Sequence, residues 1–546
     1  MTSSAHVDTF AADHLPRADL LPEFCFDRPE LTFPPRMNCA TELLDRWVDA
    51  GRGERLCVQG QAIRWTYAEL HRHANRIARV LVEDLKLVPG NRVLLRGGNS
   101  PMLAACWFAV MKAGGIAVTT MPLLRAKELS EIITKARVSH ALCDASLRAE
   151  LSAAQARCPT LLRVCQFTSG DDSSDLIARA AAKPDTFDNV QTAADDTCLI
   201  AFTSGTTGKP KATMHFHRDV MAACACWPPH VLRASEHDVF IGSPPLAFTF
   251  GLGGLLLFPL SIGASAVLLE KVTPEALLDA IEEYRPTVCF TAPTSYRTMA
   301  PRISGRDMSS LRKCVSAAEP LSAATRSVWK DATGIDIIDG IGTTELLHIF
   351  LSHADDDVRP GATGKPVPGY TVAVLDDRLR AMPRGQAGRL AVKGPTGCRY
   401  LDDDRQRDYV QGGWNLTGDT YLEDEDGWFV FQARSDDLII SSGYNIAGPE
   451  VESALLLHDG VAECGVVGVP DEERGQIVKA FVVLRPGFDP SPAMVKELQR
   501  FVKDSIAPYK YPRAIEFRNT LPRTETGKLQ RFRLRTESRA AADMEP

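Results

Sequence analysis

The chain of 546 residues is too long for one hydrophobic core, so its length predicts two or more domains. Its 45% hydrophobic and 24% charged residues are an ordinary globular composition, and a net charge of -7 argues against a general nucleic-acid binder or a lipid-surface protein. Fourteen cysteines without a CxxC pair predict reduced, buried thiols and neither a disulfide framework nor a zinc site. The N-terminus has no secretion-signal pattern, so a cytoplasmic location is expected.

Short β-branched runs alternate with helical patterns through most of the chain. The runs NRVLLRG, GIAVTT, PTVCFTAP, LRKCVSAA and IDIIDGIG predict strands, and PMLAACWFAVMKAG predicts an amphipathic helix. This alternation predicts an α/β fold with one large, mostly parallel sheet, which binds ligands at the carboxyl ends of its strands. The uncharged stretch from Val239 to Leu269 could span a bilayer, but its prolines and glycines predict buried strands and a short helix instead.

The sequence pattern changes twice in the second half of the chain. After about residue 370, the runs YTVAVLDD, GRLAVKG and GWFVFQAR predict a β-rich subdomain, with a hairpin turn at Asp426 and Gly427. Beyond ARSDDLII, a helix from Pro449, two strands, the helix SPAMVKELQRFVKDSI and a last strand predict a compact α+β unit. We therefore predict a large N-terminal domain at residues 1–434 and a small C-terminal domain at residues 435–546.

The segment TSGTTGKPK is rich in hydroxyl groups, glycine and lysine, and it follows the predicted strand CLIAF. It is not a Walker loop, because only two residues separate Gly205 from Gly208, and Pro210 stands where a magnesium-binding hydroxyl is required. Backbone N–H groups, hydroxyls and ammonium groups can still surround a diphosphate. The candidate phosphate ligands are Thr203, Ser204, Gly205, Thr206, Thr207, Gly208, Lys209 and Lys211.

Four more motifs follow this segment in the order GIGTTE, TGDTY, ARSDDLIISSGYNI and PRTETGKLQR. The series resembles the adenylate-forming superfamily of acyl-CoA synthetases, adenylation domains and luciferases, from about residue 40 to residue 535. The resemblance implies a large N-terminal domain and a small, mobile C-terminal domain. It also implies ATP, Mg2+ and coenzyme A, with a carboxylate that attacks the α-phosphate of ATP before a thiol displaces AMP.

The resemblance assigns roles on the nucleotide side of the site. The segment from Thr203 to Lys211 would hold the departing pyrophosphate, Glu345 would bind magnesium, and Thr344 would touch the nucleotide phosphate. Asp419 and Arg434 would contact the ribose. The residues implied to lie along adenine are Ala317, Ala318 and Glu319, with Ile341 at the stacking position, and Asp339 and Gly340 are implied to bind the nucleotide. Many members have an aromatic residue at the position of Ile341, so less stacking on adenine is expected here.

For the C-terminal domain, the resemblance implies movement between two half-reactions. Lys528 would bridge the attacking carboxylate and the α-phosphate as a catalytic residue. The domain would then rotate about the hinge residue Asp436, so that Ser442, Gly443 and Tyr444 line a tunnel for the pantetheine of CoA.

A basic stretch surrounds the last of these motifs. From Lys510 to Arg535 the chain carries eight basic and two acidic residues, a local charge of +6. Lys510 and Arg513 are the candidates within it for the phosphates of CoA.

The string DGIGTTELLHIFLS resembles the benzoate-CoA ligase branch of the superfamily. The residues implied to enclose an aromatic ring are Ala247, Thr249, Phe250, Gly342, His348 and Ile349. Benzoate ligases typically have FFAYG where this chain has AFTFG, which implies a roomier and differently polar pocket. We expect 2-aminobenzoate as the first substrate and benzoate as the second, with a modest loss because Thr249 can turn its hydroxyl to the backbone.

Two alternatives remain at this point. A stand-alone adenylation enzyme that loads an aryl acid onto a carrier protein would share the first half-reaction, although the pocket positions lack the aspartate that amino-acid-loading members use. A non-catalytic nucleotide-binding protein is disfavoured because Lys528, Glu345 and Asp419 are all present. The expected partners are an aryl carboxylate, ATP and CoA, without nucleic acid or membrane, and a homodimer is left open.

Overall fold

The computed structural model describes residues 3–61, 63–168, 175–203, 210–434, 437, 439–441, 444–471, 474–523 and 529–542. In these residues the α-helices are α1 (Phe10–Asp13), α2 (Arg46–Asp49), α3 (Tyr67–Arg79), α4 (Pro101–Lys112), α5 (Ala126–Lys135), α6 (Arg148–Gln155), α7 (Asp175–Ala181), α8 (His217–Trp227), α9 (Thr249–Leu252), α10 (Phe258–Ser261), α11 (Pro274–Tyr284), α12 (Pro293–Met299), α13 (Ala323–Thr333), α14 (Gln406–Tyr409), α15 (Gly448–Leu455), α16 (Pro492–Ser505) and α17 (Arg531–Ala542). Three of the longer helices start at a capping hydroxyl followed by proline: Ser100, Thr273 and Ser491 each accept a backbone N–H from the residue three positions on.

The described N-terminal part contains two large sheets, where the sequence predicted one. In spatial order, the first is β6 (Arg163–Phe167), β5 (His140–Asp144), β3 (Arg92–Arg96), β4 (Ile116–Thr120), β7 (Thr197–Thr203) and β8 (Lys211–Phe216). The second is β15 (Lys365–Pro366), β14 (Ile349–Ser352), β13 (Ile337–Gly342), β12 (Lys313–Ser316), β11 (Val288–Thr291), β9 (Val239–Gly242), β10 (Ser265–Val267), β1 (Leu56–Gln59) and β2 (Arg64–Thr66). Their central strands are parallel, as predicted. Because twisted open sheets rarely exceed about ten strands, a chain with this many strands divides them between two sheets.

Helix α4 is buried on every side, so the prediction of an amphipathic helix is wrong. It packs against α3 and the parallel strands β3 and β4. The largest buried cluster runs from both large sheets through these helices. A helix in this position needs no polar face, and its Lys112 is satisfied internally by Asp45, with 2.5 Å from Nζ to Oδ1.

The uncharged stretch from Val239 to Leu269 forms β9, α9, α10 and β10, as its prolines and glycines predicted. Most of its side chains belong to the main core. Across the described part of the chain, no helix combines the length and the apolar character needed to cross a membrane.

A third sheet and a smaller C-terminal unit complete the fold. The third sheet is β16 (Thr371–Leu375), β17 (Ala387–Lys393), β19 (Trp414–Glu423) and β18 (Val410–Gln411), with β20 (Phe429–Arg434) paired to β19. The C-terminal unit has the hairpin β21 (Ile439–Ser441) and β22 (Tyr444–Ile446) and the sheet β23 (Val461–Asp471), β24 (Gly475–Leu484) and β25 (Ala514–Phe517). It has a hydrophobic cluster of its own. The boundary between residues 434 and 435 stays a prediction, because 435 and 436 are not described.

Candidate active site

Strands β7 and β8 bring the two ends of the TSGTTGKPK segment together. Thr203 and Lys211 are paired across these antiparallel strands. The candidate ligands between them, Ser204, Gly205, Thr206, Thr207, Gly208 and Lys209, lie outside the described residues. Lys211 is half-buried, and its Nζ lies 3.2 Å from the hydroxyl of Tyr400. The same ammonium group is 5.1 Å from the ring centroid of Tyr400 and 5.8 Å from that of Tyr409.

The turn between β13 and β14 carries the acidic residue of GIGTTE. It begins with a cap, in which Thr343 Oγ1 accepts a hydrogen bond from Leu346 N at 3.2 Å. Glu345 is buried, and its Oε1 accepts a short hydrogen bond from the Tyr400 hydroxyl. Within the described residues, Glu345 Oε2 forms no hydrogen bond. One carboxylate oxygen is therefore fixed, and the other can bind a cation such as Mg2+, which takes only one or two protein carboxylates.

The backbone of this turn is held by β8. His215 Nε2 lies 2.8 Å from the carbonyl oxygen of Thr344. Burial lowers the pKa of His215 to about 4, so the ring is neutral and donates through Nε2–H. His215 and Lys211 are four residues apart on β8 and therefore share one face of the strand.

Tyr400 and His215 are site residues that the sequence analysis missed. Neither lies in a motif used there, and Tyr400 is 55 positions from Glu345 in the chain. Burial, followed by the Glu345 carboxylate, raises the pKa of Tyr400 well above its usual value, so the hydroxyl keeps its proton. No spacing in the sequence signals such a contact between two distant segments.

The adenine-side candidates begin at the carboxyl end of β12. Ala317 is buried, and Ala318 has a φ of +76°, a left-handed conformation that costs a non-glycine residue about 1–3 kcal/mol. Glu319 accepts a hydrogen bond from Thr294 Oγ1 at 2.6 Å.

Asp339, Gly340 and Ile341 lie on the neighbouring strand β13, where Asp339 is paired with Ser316 of β12. Burial raises the pKa of Asp339 to about 7, against the opposing effect of Arg326. Near neutral pH this carboxyl group therefore carries a proton in part of the molecules and can donate a hydrogen bond. Ile341 is half-buried and packs against the main core, so the surface here is aliphatic. The two strand ends thus bring the adenine-side group together.

Asp419 and Arg434, the two predicted ribose contacts, face each other across β19 and β20. Arg434 Nη1 lies 2.9 Å from Asp419 Oδ1. Asp419 is buried, whereas the Arg434 side chain is 44% exposed. The arginine therefore holds the buried carboxylate from the more exposed side of the pair.

One of the predicted acyl-pocket residues, His348, is buried among three aromatic rings, of which only Phe250 was predicted. The ring centroid of His348 lies 4.4 Å from that of Phe258, 5.8 Å from Phe250 and 5.9 Å from Trp227. Burial lowers the pKa of His348 to about 3, so its ring is neutral. Because Nε2 lies 3.4 Å from the carbonyl oxygen of Phe250, Nε2–H is the donor. Nδ1 is then a buried acceptor without a hydrogen-bond partner in the described part of the chain.

Three glycines allow this close packing. A Cβ atom on Gly253 would lie 2.3 Å from His348 Cδ2, so the Cδ2–Nε2 edge of the ring packs there and Nδ1 lies on the opposite edge. A Cβ atom on Gly340 would lie 2.9 Å from Cγ2 of the buried Ile349. A Cβ atom on Gly342 would lie 2.5 Å from the carbonyl oxygen of His348. The β13–β14 hairpin therefore fixes Gly342, His348 and Ile349 in one place.

Ala247 and Thr249 lie on the segment that leads into α9, and both are half-buried. The carbonyl oxygen of Ala247 accepts a hydrogen bond from Thr119 Oγ1 at 3.1 Å. The Thr249 hydroxyl forms no hydrogen bond with any described residue. The structure thus brings Phe250 and His348 into contact, and it leaves the Thr249 hydroxyl available to a ligand.

The C-terminal candidates are described only in part. Lys528, Asp436, Ser442 and Gly443 lie outside the described residues. The backbone of Tyr444 belongs to β22 and is paired with Ser441. Arg523, five positions before Lys528, has its Nη1 3.9 Å from Oε1 of Glu319. Arg523 therefore lies beside Glu319, one of the residues predicted to contact adenine.

The basic stretch from Lys510 to Arg535 is mostly compensated by carboxylates. Lys510 Nζ lies 2.6 Å and 2.7 Å from the two carboxylate oxygens of Glu450, so it is committed within its own domain. The other ion pairs are Arg518 with Glu516 and Glu537, Arg523 with Glu463, Arg531 with Glu452, and Arg535 with Asp437. Arg513 donates to the carbonyl oxygen of Tyr509 at 3.4 Å. Among the described residues of this stretch, five of the basic side chains are therefore paired with carboxylates, and Arg513 has no carboxylate partner in these ion pairs.

All fourteen cysteines are free, and all except Cys25 are buried. Three groups that no sequence spacing connects nevertheless meet: the Sγ atoms of Cys39 and Cys198 and a ring nitrogen of His217 lie within 4.8 Å of one another. Burial raises the pKa of Cys39, but Cys198 and His217 outweigh this effect and lower it to about 6. His217 Nδ1 lies 3.1 Å from Cys39 N, so its lone pair accepts that N–H. We interpret the group as a hydrogen-bonded core cluster.

Two family models match the chain. The model described as "AMP-binding enzyme" matches residues 44–399, and the model described as "AMP-binding enzyme C-terminal domain" matches residues 450–528. The protein belongs to the AMP-binding enzyme family, with its large N-terminal domain and smaller C-terminal domain.

Within this family, the chain is similar to aryl-CoA ligases both in sequence and in fold. The chain is 36% identical to the benzoate–CoA ligase of Thauera aromatica over 515 residues, which cover 93% of this chain and 97% of that protein. Its fold is similar to the anthranilate CoA ligase AuaEII, solved with anthranoyl-AMP, with a TM-score of 0.90, 34% identity and coverage of 95% and 100% of the two chains. A benzoate CoA ligase from Burkholderia xenovorans has a TM-score of 0.84 and 33% identity, with coverage of 91% and 100%.

Proposed function

We propose that this chain is an ATP-dependent aryl-carboxylate CoA ligase, an acid–thiol ligase. It converts an aryl carboxylate and ATP to an acyl-AMP and pyrophosphate, and then the acyl-AMP and CoA to an aroyl-CoA and AMP. The observation that carries this proposal is the β13–β14 turn. In this turn Glu345 is only three residues before His348, which lies among the aromatic rings of the proposed acyl pocket. An aryl substrate bound beside His348 would place its carboxylate next to the residues proposed to hold the phosphates and magnesium of ATP.

The first half-reaction overcomes the poor reactivity of a carboxylate, whose leaving group would be oxide. A carboxylate oxygen attacks the α-phosphorus of ATP, the bond to the α,β-bridging oxygen breaks, and pyrophosphate leaves with the electron pair. Thr203, Lys211 and the residues between them are proposed to stabilise the charge on pyrophosphate. Glu345 Oε2 is the proposed ligand of the magnesium ion that accompanies ATP, and Lys528 is proposed to bridge the carboxylate and the α-phosphate.

The nucleoside of ATP is proposed to lie across the carboxyl ends of β12 and β13. Asp419, oriented by Arg434, accepts the ribose hydroxyls. Adenine lies between the backbone at Ala318 and the aliphatic surface of Ile341. The group with adenine contacts is proposed to comprise Ala317, Ala318, Glu319, Asp339, Gly340 and Ile341.

The second half-reaction requires the thiol of CoA to reach the acyl-AMP. The thiol releases its proton to solvent, the sulfur attacks the acyl carbon, the bond to the AMP oxygen breaks, and AMP leaves as the anion. The small domain is proposed to turn about Asp436, which withdraws Lys528 and brings Ser442, Gly443 and Tyr444 to the pantetheine. Arg513 is the better of the two proposed contacts to the CoA phosphates, because Lys510 is paired with Glu450.

The preferred acid is proposed to be 2-aminobenzoate. The neutral His348 ring offers Nδ1 as a buried acceptor without a partner in the described chain, and an ortho-amino group supplies the matching N–H donor. An analogue without that donor leaves the acceptor buried and unpaired, which a site penalises strongly. Benzoate is therefore disfavoured more than the Thr249 hydroxyl alone predicts. The solved relative with bound anthranoyl-AMP supports the same choice.

A panel of acids tests this proposal. We expect kcat/KM for CoA-dependent AMP release to be highest with 2-aminobenzoate and at least ~10-fold lower with benzoate, the scale of one buried hydrogen bond. Hexanoate and longer fatty acids should be far slower, because Phe250, Gly342 and Ile349 are proposed to block the tunnel that an alkyl chain needs. The aroyl-CoA product is identified by mass spectrometry.

Ala247→Phe provides the matched control for the ortho position. It should fill the space beside the ring and shift the preference towards benzoate, while acyl-AMP formation from benzoate persists. A preference for a medium or long fatty acid would contradict the aryl assignment. Transfer to a carrier protein without transfer to CoA would favour the adenylation enzyme instead.

A further inference from the structure

Tyr400 joins the two charged groups of the phosphate side. It is 1% exposed and lies in the segment after β17, where its backbone bridges to Thr213 of β8. Its hydroxyl is within hydrogen-bond distance of both Glu345 Oε1 and Lys211 Nζ. The cationic and the acidic candidate ligands, 134 positions apart in the chain, are therefore connected through one oxygen atom.

The direction of both hydrogen bonds is fixed by the chemistry of the groups. An ammonium group only donates and an ionised carboxylate only accepts, so the phenol accepts from Lys211 and donates its single proton to Glu345. Among the described residues, Lys211 Nζ has no second hydrogen-bond acceptor and Glu345 Oε2 has no donor. Lys211 Nζ can therefore donate to an anionic group of a ligand, and Glu345 Oε2 can bind a cation that accompanies the same ligand.

The tyrosine is itself held rigidly. Its backbone N–H donates to Gln406 Oε1 at 2.9 Å. Its ring packs edge-on against Tyr409, with 5.8 Å between the centroids. Tyr409 uses its own hydroxyl differently, 3.1 Å from Thr343 Oγ1. The hydroxyl of Tyr400 is therefore set in position before any ligand binds.

We propose that Tyr400 is a positioning residue, which holds Lys211 and Glu345 at a fixed separation so that both engage one magnesium–triphosphate group. The inference rests on the proposed function, since it assumes that ATP is the substrate. It extends that function by naming a residue that acts on the β- and γ-phosphates and their magnesium through Lys211 and Glu345. Tyr400 itself does not touch the reacting atoms. Loss of its hydroxyl lets the ammonium and carboxylate groups collapse into a direct ion pair that competes with the ligand.

The test compares Tyr400→Phe with Tyr409→Phe, two variants that each lose one buried hydroxyl from the same ring pair. Calorimetry without any acid measures the Kd for ATP at several free Mg2+ concentrations, and the Kd for AMP. For Tyr400→Phe we expect about 10-fold weaker binding of MgATP, the scale of a hydrogen bond to a charged group, with unchanged binding of AMP. Tyr409→Phe should stay within about 2-fold of wild type for both nucleotides.

Equal losses for ATP and AMP in Tyr400→Phe, or no loss for either, would overturn the proposal. A double-mutant cycle of Lys211→Met and Glu345→Gln keeps Tyr400 in place and tests the same coupling independently of the folding of Tyr400→Phe. The losses of MgATP affinity should be non-additive, and additive losses overturn the proposal. Because no acid is present, these measurements stand even if the wild type makes no aroyl-CoA, which would contradict only the proposed function.

Discussion

Replacing Lys528 by alanine is expected to slow acyl-AMP formation by at least ~10²-fold, the scale of one preorganised charge-stabilising donor. The ammonium group is proposed to orient the attacking carboxylate and neutralise the α-phosphate only during this first step. Formation of the thioester from supplied acyl-AMP should stay close to wild type. Rapid-quench measurements of the two half-reactions separate these effects.

Lys496→Ala is a suitable control, because Lys496 is an exposed lysine on α16 of the same domain. It should leave both half-reactions unchanged. If Lys528→Ala slows both half-reactions equally, the proposed division of labour is wrong.

Asp436→Pro is expected to have the opposite pattern, with acyl-AMP still formed and transfer to CoA slowed by about 10²-fold, the scale for a misplaced reacting group. Proline fixes φ at a position whose backbone angles are proposed to change between the two half-reactions. The same two half-reaction assays measure it, and accumulation of acyl-AMP is the direct sign.

Asp436→Ala removes the same side chain but leaves φ free, so it should transfer the acyl group nearly as well as wild type. Normal overall turnover in Asp436→Pro would remove the case for rotation about this residue. Together, the Lys528 and Asp436 variants should separate the two half-reactions in opposite directions.

The regular elements could be predicted from the sequence because they depend on local patterns. Runs such as PTVCFTAP and LRKCVSAA do form strands β11 and β12, and the helices α11 and α16 start at hydroxyl-proline pairs. The division into two sheets could not be predicted, because strand alternation does not say which strands pair. The sequence pattern of α4 also does not say what packs around the helix. It was therefore predicted to be amphipathic, although its neighbours bury every side.

The candidate site was predictable where one motif holds several of its residues. The GIGTTELLHI string gave Glu345 and His348 together, because a tight hairpin keeps them close in space. Tyr400 was missed, since its contact with Glu345 depends on how β8 and the third sheet meet. The ion pairs of the basic stretch near Lys510 could not be predicted for a related reason, because Glu450 and Glu452, which pair with Lys510 and Arg531, lie elsewhere in the chain.

The unpaired acceptor of His348 is a further feature of the site that could not be predicted from the sequence. A sequence indicates that a histidine is present, but its tautomer depends on the Phe250 carbonyl group, which burial brings within 3.4 Å of Nε2. That contact changes the expected discrimination against benzoate from modest to strong. Residue identity thus predicts the kind of pocket, and packing determines its polarity.

The transfer of carboxylate oxygen tests the central claim most directly. The wild-type protein is incubated with MgATP, CoA and 2-aminobenzoate labelled with 18O in both carboxylate oxygens, and the products are analysed by mass spectrometry. Attack of the carboxylate on the α-phosphorus predicts that AMP gains one labelled oxygen, while the aroyl-CoA keeps the other and pyrophosphate gains none. Label in orthophosphate together with ADP, or AMP without label, would contradict activation through an acyl-AMP.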